Sequence, residues 1–156
     1  MNLFSSFEIS GSGLSAQRLR MDTISNNIAN VNTTRTAEGG PYKRLRVVFE
    51  PRAQNAPFML PTEVGAAGAS AENLQKMQLS QGVRVAGISS DNSGPKMVYD
   101  PGHPDADSKG YVAMPNISIV NEMVDLISAS RAYEANVTAI SSAKSMALKA
   151  LDIGKA

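Results

Sequence analysis

The feature that most constrains this chain is a run of residues near its C-terminal end that recur at alternating intervals of four and three. Such a 4-3 repeat keeps side chains on one side of an α-helix, so it predicts a long helix of the coiled-coil type. Pro115 before the run and Gly154 after it are typical helix limits, and we place the helix at about Ser118 to Asp152. The seam consists of Ile119, Met123, Leu126, Ser130, Tyr133, Val137, Ile140, Lys144, Ala147 and Leu151.

A second apolar stripe on the same helix is formed by Val120, Val124 and Ile127. It points away from the seam, and one partner helix cannot cover both. A helix that is apolar on more than one face is normally surrounded, either by a multi-helix core or by other subunits. Lys144 is the one charged seam residue, and we expect it to specify register or to extend to solvent.

The N-terminal end also has a helical period, because residues 14–31 contain neither Pro nor Gly and carry apolar residues seven positions apart. The helical stripe consists of Leu14, Met21, Ile24, Ile28 and Val31. Gly11 and Gly13 interrupt the series upstream, so the segment before Leu14 is either a looser extension or a hinge. Asn26, Asn27, Asn30 and Asn32 lie where this helix ends, in positions that suit caps, turns and inter-subunit hydrogen bonds.

The middle of the chain differs in character, since all eight prolines and most glycines lie there. Lys43–Glu50, Val83–Ile88 and Lys96–Tyr99 have the composition of strands, separated by turn signals. We therefore predict an α+β fold in which long N- and C-terminal helices pack as a coiled-coil-like pair around a small β-rich, loop-rich insert. The predicted regions are an N-terminal helix with its following turn (1–36), a β- and loop-rich middle with a flexible part near 52–82 (37–116), and a C-terminal helix (117–156).

Composition excludes several functions. The chain has no Cys, which rules out disulfides and thiolate sites, and its formal charge of +1 gives no field to attract nucleic acid. The first residues lack the basic start, apolar run and cleavage site of a secretory signal peptide. No apolar run approaches the roughly 20 residues of a membrane-spanning helix. We expect a soluble chain, or one that is exported without a cleavable signal peptide.

One cluster suggests a metal or acid-base site: His103, Asp105 and Asp107 in the sequence GHPDAD. Flanking prolines favour a rigid turn whose carboxylates accept local backbone N–H bonds, or a loop that contacts an adjacent subunit. Arg131, Tyr133 and Glu134 also resemble catalytic residue types, but a seam Tyr is usually packed with its hydroxyl at the rim. We expect no catalytic residues, cofactor, metal or small-molecule substrate.

The two ends are expected to need each other, because a long isolated amphipathic helix is marginal in water. We predict that they pair in an antiparallel or near-parallel manner and that the remaining apolar stripe faces neighbouring copies. If only the assembly covers that stripe, the termini of a free monomer are largely disordered and folding is coupled to assembly.

Two motifs carry a family resemblance. The segment 12–36, with its core ANVNTT, resembles the N-terminal signature of flagellar rod, hook and hook-associated axial proteins, although Arg35 stands where that signature usually has Gly. The run 120–155, centred on Arg131–Asn136 (RAYEAN), resembles the matching C-terminal signature. The short chain and the segment 96–123 are similar to the proximal-rod members, whereas 52–82 contains no recognised motif.

The resemblance implies a structural subunit of the proximal rod, exported through the flagellar type III apparatus and polymerised helically in the periplasm. In such proteins the terminal helices form an inner tube that encloses the export channel, and the rod transmits motor torque. The implied partners are further copies, other rod proteins and the export-gate adaptor at the base.

The residues predicted to form subunit contacts are Leu14, Met21, Ile24, Asn27, Ile28, Asn30, Val31, Asn32, Ile119, Met123, Leu126, Arg131, Tyr133, Glu134, Asn136, Val137, Ile140 and Leu151, with His103, Asp105 and Asp107 as a loop contact. Two alternatives stay open from the sequence. The first is a secreted coiled-coil effector or adhesin, and the second is a metal-dependent hydrolase that uses His103.

Overall fold

The computed structural model describes residues 3–52 and 82–154, so almost all of the predicted flexible part, 52–82, lies outside the described residues. The elements follow in the order α1 (Leu3–Ala29), β1 (Leu45–Pro51), β2 (Val83–Ser90), β3 (Lys96–Tyr99), β4 (Tyr111–Met114) and α2 (Ile119–Ile153). Two long terminal helices enclose a small set of antiparallel strands, which confirms the predicted α+β class.

Helix α1 is continuous from Leu3 and passes through both glycines that the sequence pattern treated as an interruption. The reason is visible at Gly13, where a Cβ would lie only 3.0 Å from Nδ2 of Asn136 on α2. Glycine in a helix costs about 0.5–1 kcal/mol relative to Ala. At Gly13 that cost permits close approach of the second helix, so the segment before Leu14 is neither loose nor a hinge.

Helix α2 begins and ends within one residue of the predicted limits and runs antiparallel to α1. Three pairs of positions fix the direction, because Gly13 lies beside Asn136, Arg20 beside Asp125, and Asn27 beside Glu122. The sequence had left the direction of the pair open. With 35 residues against 27, α2 is also the longer helix.

The strands form two separate antiparallel hairpins, β1–β2 and β3–β4. A bulge interrupts the first ladder between Val48 and Phe49. The first three strands lie within two residues of their predicted limits. The fourth, β4, was not predicted, because its four residues YVAM are too short to show an alternating pattern of their own.

The β1–β2 hairpin lies along α1 and is attached at both of its ends. Near the hairpin's start, Asn27 of α1 bonds to the backbone of Leu45. At the other end, the backbone N–H of Val83 donates to the Oγ of Ser12 over 3.1 Å. Gly82 precedes it with φ +82°, and a Cβ there would overlap with Ser12 Oγ, so this approach requires glycine.

The apolar core is small. Among the described residues, the buried apolar side chains are Ala16, Ile24, Val112, Ala129 and Ala143. Three of the five are alanines, and the buried polar residues Thr23, Asn27 and Glu122 lie among the same helices. The helix pair is therefore joined by small and polar side chains, while most large aliphatic side chains of α2 lie elsewhere.

Candidate assembly interface

Helix α1 covers only half of the ten seam positions that the sequence predicts for α2. The least exposed positions of α2 also follow a 4-3 spacing, and they are Glu122, Leu126, Ala129, Tyr133, Asn136, Ile140, Ala143 and Ala147. Leu126, Tyr133, Ile140 and Ala147 belong to the predicted seam. Three other members of that seam, Met123, Val137 and Lys144, are exposed within the single chain, so α1 does not cover them.

The exposed side of α2 carries an unusual amount of apolar surface. Val120 is 69% exposed and Met123 is 52% exposed, and the predicted second stripe is uncovered along its whole length. We call this set the outer apolar face of α2; it consists of Ile119, Val120, Met123, Val124, Ile127, Val137, Met146, Leu148, Leu151 and Ile153. Large exposed apolar patches on soluble proteins mark sites of association.

The predicted interface residues of α1 and its following turn divide by burial. Ile24 is buried, and Leu14, Met21, Ile28 and Val31 are half-buried. Asn30 donates from its side chain to the carbonyl of Asn26 and accepts from the hydroxyl of Thr33, so it stabilises the helix end locally. Asn32 is exposed, and no described non-glycine residue has a positive φ, so none of the asparagines adopts a left-handed turn.

A partly buried polar cluster joins α1, α2 and β1. We call it the polar junction; it consists of Arg20, Asn27, Arg44, Glu122 and Asp125. Asn27, at 1% exposure, binds the backbone of Leu45 as another strand would, donating from Nδ2 to its carbonyl and accepting from its N–H, both at 2.9 Å. The same Nδ2 donates to Glu122 Oε2 at 3.0 Å. One amide therefore connects all three elements.

The charges of the junction are arranged in a chain. Glu122 is 1% exposed, and its Oε1 accepts from Nε of Arg44 at 2.6 Å and also contacts Nη2 of that residue. Arg44 continues to Asp125 at 3.2 Å, and Arg20 reaches the other oxygen of Asp125 at 3.3 Å. A buried carboxylate requires this pairing, because leaving it alone in the interior is very costly.

Tyr42 borders the junction, where its hydroxyl lies 3.3 Å from Asn27 Oδ1 as a donor. Burial, and secondarily the negative charge of Glu122, raises the pKa of Tyr42 above its ordinary value. The residues of the junction and its border that sequence reasoning missed are Arg20, Tyr42, Arg44, Glu122 and Asp125. The one available signal was the spacing of Glu122, which lies seven residues before Ala129 and so continues a heptad of small and polar residues.

The loop between β3 and β4 contains the three residues considered as a metal site. His103 Nδ1 accepts from the backbone N–H of Asp105, and Asp107 Oδ1 accepts from the N–H of Ser108. Asp105 Oδ2 accepts from the hydroxyl of Thr34 at 2.8 Å, which ties this loop to the segment after α1. Within the described ranges, no group of three or more His, Cys, Asp or Glu side chains is placed to hold a metal ion.

The other residues with catalytic chemistry are arranged for packing. Tyr133 is half-buried on the covered side of α2, while Arg131 and Glu134 are exposed. Asn136 donates to the carbonyl of Ala132 at 2.9 Å and contacts Gly13 across the helix pair. None of the helices in the described part of the chain has the length and hydropathy that a membrane span needs.

Comparison with known proteins agrees with this architecture. A family model described as "Flagella basal body rod protein" matches residues 7–35, and one described as "Flagellar basal body rod FlgEFG protein C-terminal" matches residues 108–153. The two matches cover most of α1 and all of α2.

Curated relatives match over nearly the whole chain. The flagellar basal-body rod protein FlgC of Borreliella burgdorferi is 53% identical, with 98% of each chain covered. FlgC of Bacillus subtilis is 42% identical and FlgC of Salmonella typhimurium 38%, each over 99% of this chain and the whole relative. Neither the hydrolase nor the adhesin alternative gains support from these matches. The chain therefore belongs to the FlgC family of flagellar basal-body rod proteins, a family of structural subunits and not of enzymes.

Proposed function

We propose that this chain enters the proximal rod through its terminal helices, which pack with those of neighbouring subunits into a tube that encloses the export channel and transmits motor torque. The observation that carries the proposal is the outer apolar face of α2. Burying one large aliphatic side chain is worth roughly 1.5–3 kcal/mol, so ten exposed ones favour association strongly. The formal charge is only +1 and the described residues form a small apolar core, so neither charge nor the chain's own core accounts for this exposed apolar surface.

The predicted contact residues take two roles in this proposal. Those with exposed side chains touch neighbours directly; they are Asn32, Ile119, Met123, Arg131, Glu134, Val137 and Leu151. Those on the covered side shape the helix pair that presents them; they are Leu14, Met21, Ile24, Asn27, Ile28, Asn30, Val31, Leu126, Tyr133, Asn136 and Ile140. The exposed set is where substitution should affect assembly without first unfolding the subunit.

The β3–β4 loop provides a second contact. His103 is half-buried, Asp105 and Asp107 are exposed, and the Thr34–Asp105 bond holds the loop beside the turn that follows α1. A loop held in this way can meet an adjacent subunit without a large ordering cost. The neighbours that we propose are further copies of this chain, other rod proteins and the export-gate adaptor at the base, reached after export through the flagellar type III apparatus.

Site-specific photo-cross-linking in the cell envelope tests the proposal. A benzophenone side chain at Met123 or Val137 should capture rod proteins, because both positions lie on the outer apolar face. The same probe at Asp22, exposed on α1 and outside the predicted contacts, is the matched comparison. Capture of envelope proteins unrelated to the rod from Met123 and Val137 would contradict the proposed role.

Limited proteolysis tests whether the last third of α2 becomes stably helical only on assembly, while the part of α2 beside the polar junction is already folded in the free chain. Lys144 and Lys149 are exposed in the last third of α2, and Leu151 beyond them is 62% exposed. Trypsin should cut after both lysines rapidly in the free subunit at low concentration and slowly in isolated basal bodies. Equal resistance in the two states would show that the free chain already has stable ends.

A further inference from the structure

Helix α2 contains two overlapping 4-3 seams that share Leu126, Tyr133, Ile140 and Ala147. In the structure the other half of the covered seam is Glu122, Ala129, Asn136 and Ala143. Moving each of these positions on by one residue gives Met123, Ser130, Val137 and Lys144, which completes the seam expected from the sequence. One residue corresponds to about 100° on a helix, so a rotation of about 50° exchanges one seam for the other.

Apolar burial alone favours the seam that is not used. Rotation towards it would cover Met123 and Val137, both large and exposed, in exchange for two alanines, an Asn and a Glu. Lys144 is the only member of that seam with a charge, and its long side chain can extend to solvent from a seam edge. The observed orientation must therefore depend on something other than hydrophobic contact.

Two contacts at different heights of α2 account for the orientation: hydrogen bonds at Glu122, and close packing at Asn136, whose amide donates to Ala132 within α2. Near its start, Glu122 receives donors from both Asn27 and Arg44, and a rotation would withdraw the carboxylate from them. Fourteen residues further on, Asn136 fits against Gly13, where there is no side chain to displace it. Single polar residues in a helix seam are known to fix register at a cost in stability.

We propose that Glu122 and Asn136 form an orientation lock, which turns the outer apolar face of α2 away from α1 and so leaves it available to an apolar helix of a neighbouring subunit. The lock is a property of the single chain. Its value for assembly rests on the function proposed above. Without the lock, α2 would bury Met123 and Val137 inside the subunit and expose Glu122 and Asn136 to neighbours in their place.

The absence of cysteine permits a direct test on the full chain, since each introduced thiol is the sole one. Met123→Cys reports on the outer face, and Ala129→Cys, at a position that is 0% exposed, reports on the covered face. Each is placed in the native background and in Glu122→Leu/Asn136→Leu, and the rate of maleimide labelling is measured. Asp22→Leu, which removes an exposed acidic charge on α1, is the control background.

In the native and control backgrounds we expect labelling at position 123 to be at least tenfold faster than at 129. In the double variant the ratio should fall below one, while the helical circular dichroism signal is kept or increased. A ratio that stays above one overturns the lock. If the double variant loses its helical signal, Asn136→Leu alone is tested; because the contacts of Glu122 remain, the ratio should fall towards one without reversing, and an unchanged ratio overturns the two-residue lock.

Rod incorporation separates the lock from the proposed function. If both are correct, the double variant labels in the reversed order and no longer enters the rod, and Met123→Glu in the native background is excluded as well. Reversed labelling with normal incorporation would leave the lock standing and contradict the role of the outer face. Unchanged labelling together with exclusion of Met123→Glu would overturn the lock alone.

Discussion

Replacement of Asn27 by Ala removes the centre of the polar junction. The amide makes three bonds of 2.9–3.0 Å, two to Leu45 and one to Glu122, and a longer one of 3.3 Å to Tyr42. At about 1 kcal/mol net for each hydrogen bond, the loss amounts to about 3–4 kcal/mol. That is a large share of the roughly 5–15 kcal/mol by which ordinary domains are stable, and the apolar core of the described residues is small.

Urea denaturation followed by circular dichroism measures the effect. With a slope of about 2 kcal/mol per molar urea, the midpoint should fall by about 1.5–2 M and the slope should not change. Asn26→Ala is the matched control, because it removes the same side chain at the preceding, exposed position. Asn27→Asp should be worse than Ala, since it brings a second negative charge to 3.0 Å from Glu122. A shift for Asn27→Ala within 1 kcal/mol of the control value would refute the assignment.

Two further predictions concern α1 and the edge of the junction. Gly11→Ala should stabilise the chain by about 0.5–1 kcal/mol, because its Cβ would meet nothing within 4 Å. Gly13→Ala should stabilise the chain less than this or destabilise it, because its Cβ would crowd Asn136. Thermal unfolding of the two variants compares them directly. Because the pKa of Tyr42 is raised, its contribution to stability is complete below the ordinary tyrosine pKa of 10.0 and is lost as pH rises through the higher folded value. Tyr42→Phe should therefore reduce alkaline destabilisation and remove a tyrosinate absorbance step that lies above the ordinary tyrosine pKa. An unchanged titration would contradict the placement of Tyr42 beside Glu122.

The limits of α2 could be predicted because a long 4-3 pattern ends at clear signals, Pro115 and Gly154. Its orientation could not, because large aliphatic side chains occur on more than one side of the helix. The position that decides the orientation, Glu122, is charged, and charged residues are almost never fully buried unless they are paired. Its partner Arg44 is 78 residues away in the sequence, and no local pattern indicates that they meet.

The same limit applies to α1 and to the hairpins. Gly11 and Gly13 looked like a break, because a single sequence does not show that another helix approaches at Gly13. Asn27 is a residue type that often caps a helix end, which is how the sequence analysis interpreted it. Its bonds to a strand 18 residues later depend on how the hairpin folds back over α1. The family resemblance located the important segments correctly but did not indicate which of their residues bond within the chain.

The double attachment of the β1–β2 hairpin has a mechanical consequence. Ser12 and Asn27 are fifteen residues apart on α1, which is about 22 Å along the helix axis at 1.5 Å per residue. A hairpin attached to α1 at one point could rotate about that point. Two attachments at this separation resist such rotation, because a sideways force on the hairpin produces opposed forces on α1 at Ser12 and Asn27. A load that reaches the hairpin is thus passed to the helix as a couple, and the hairpin has no freedom to swing.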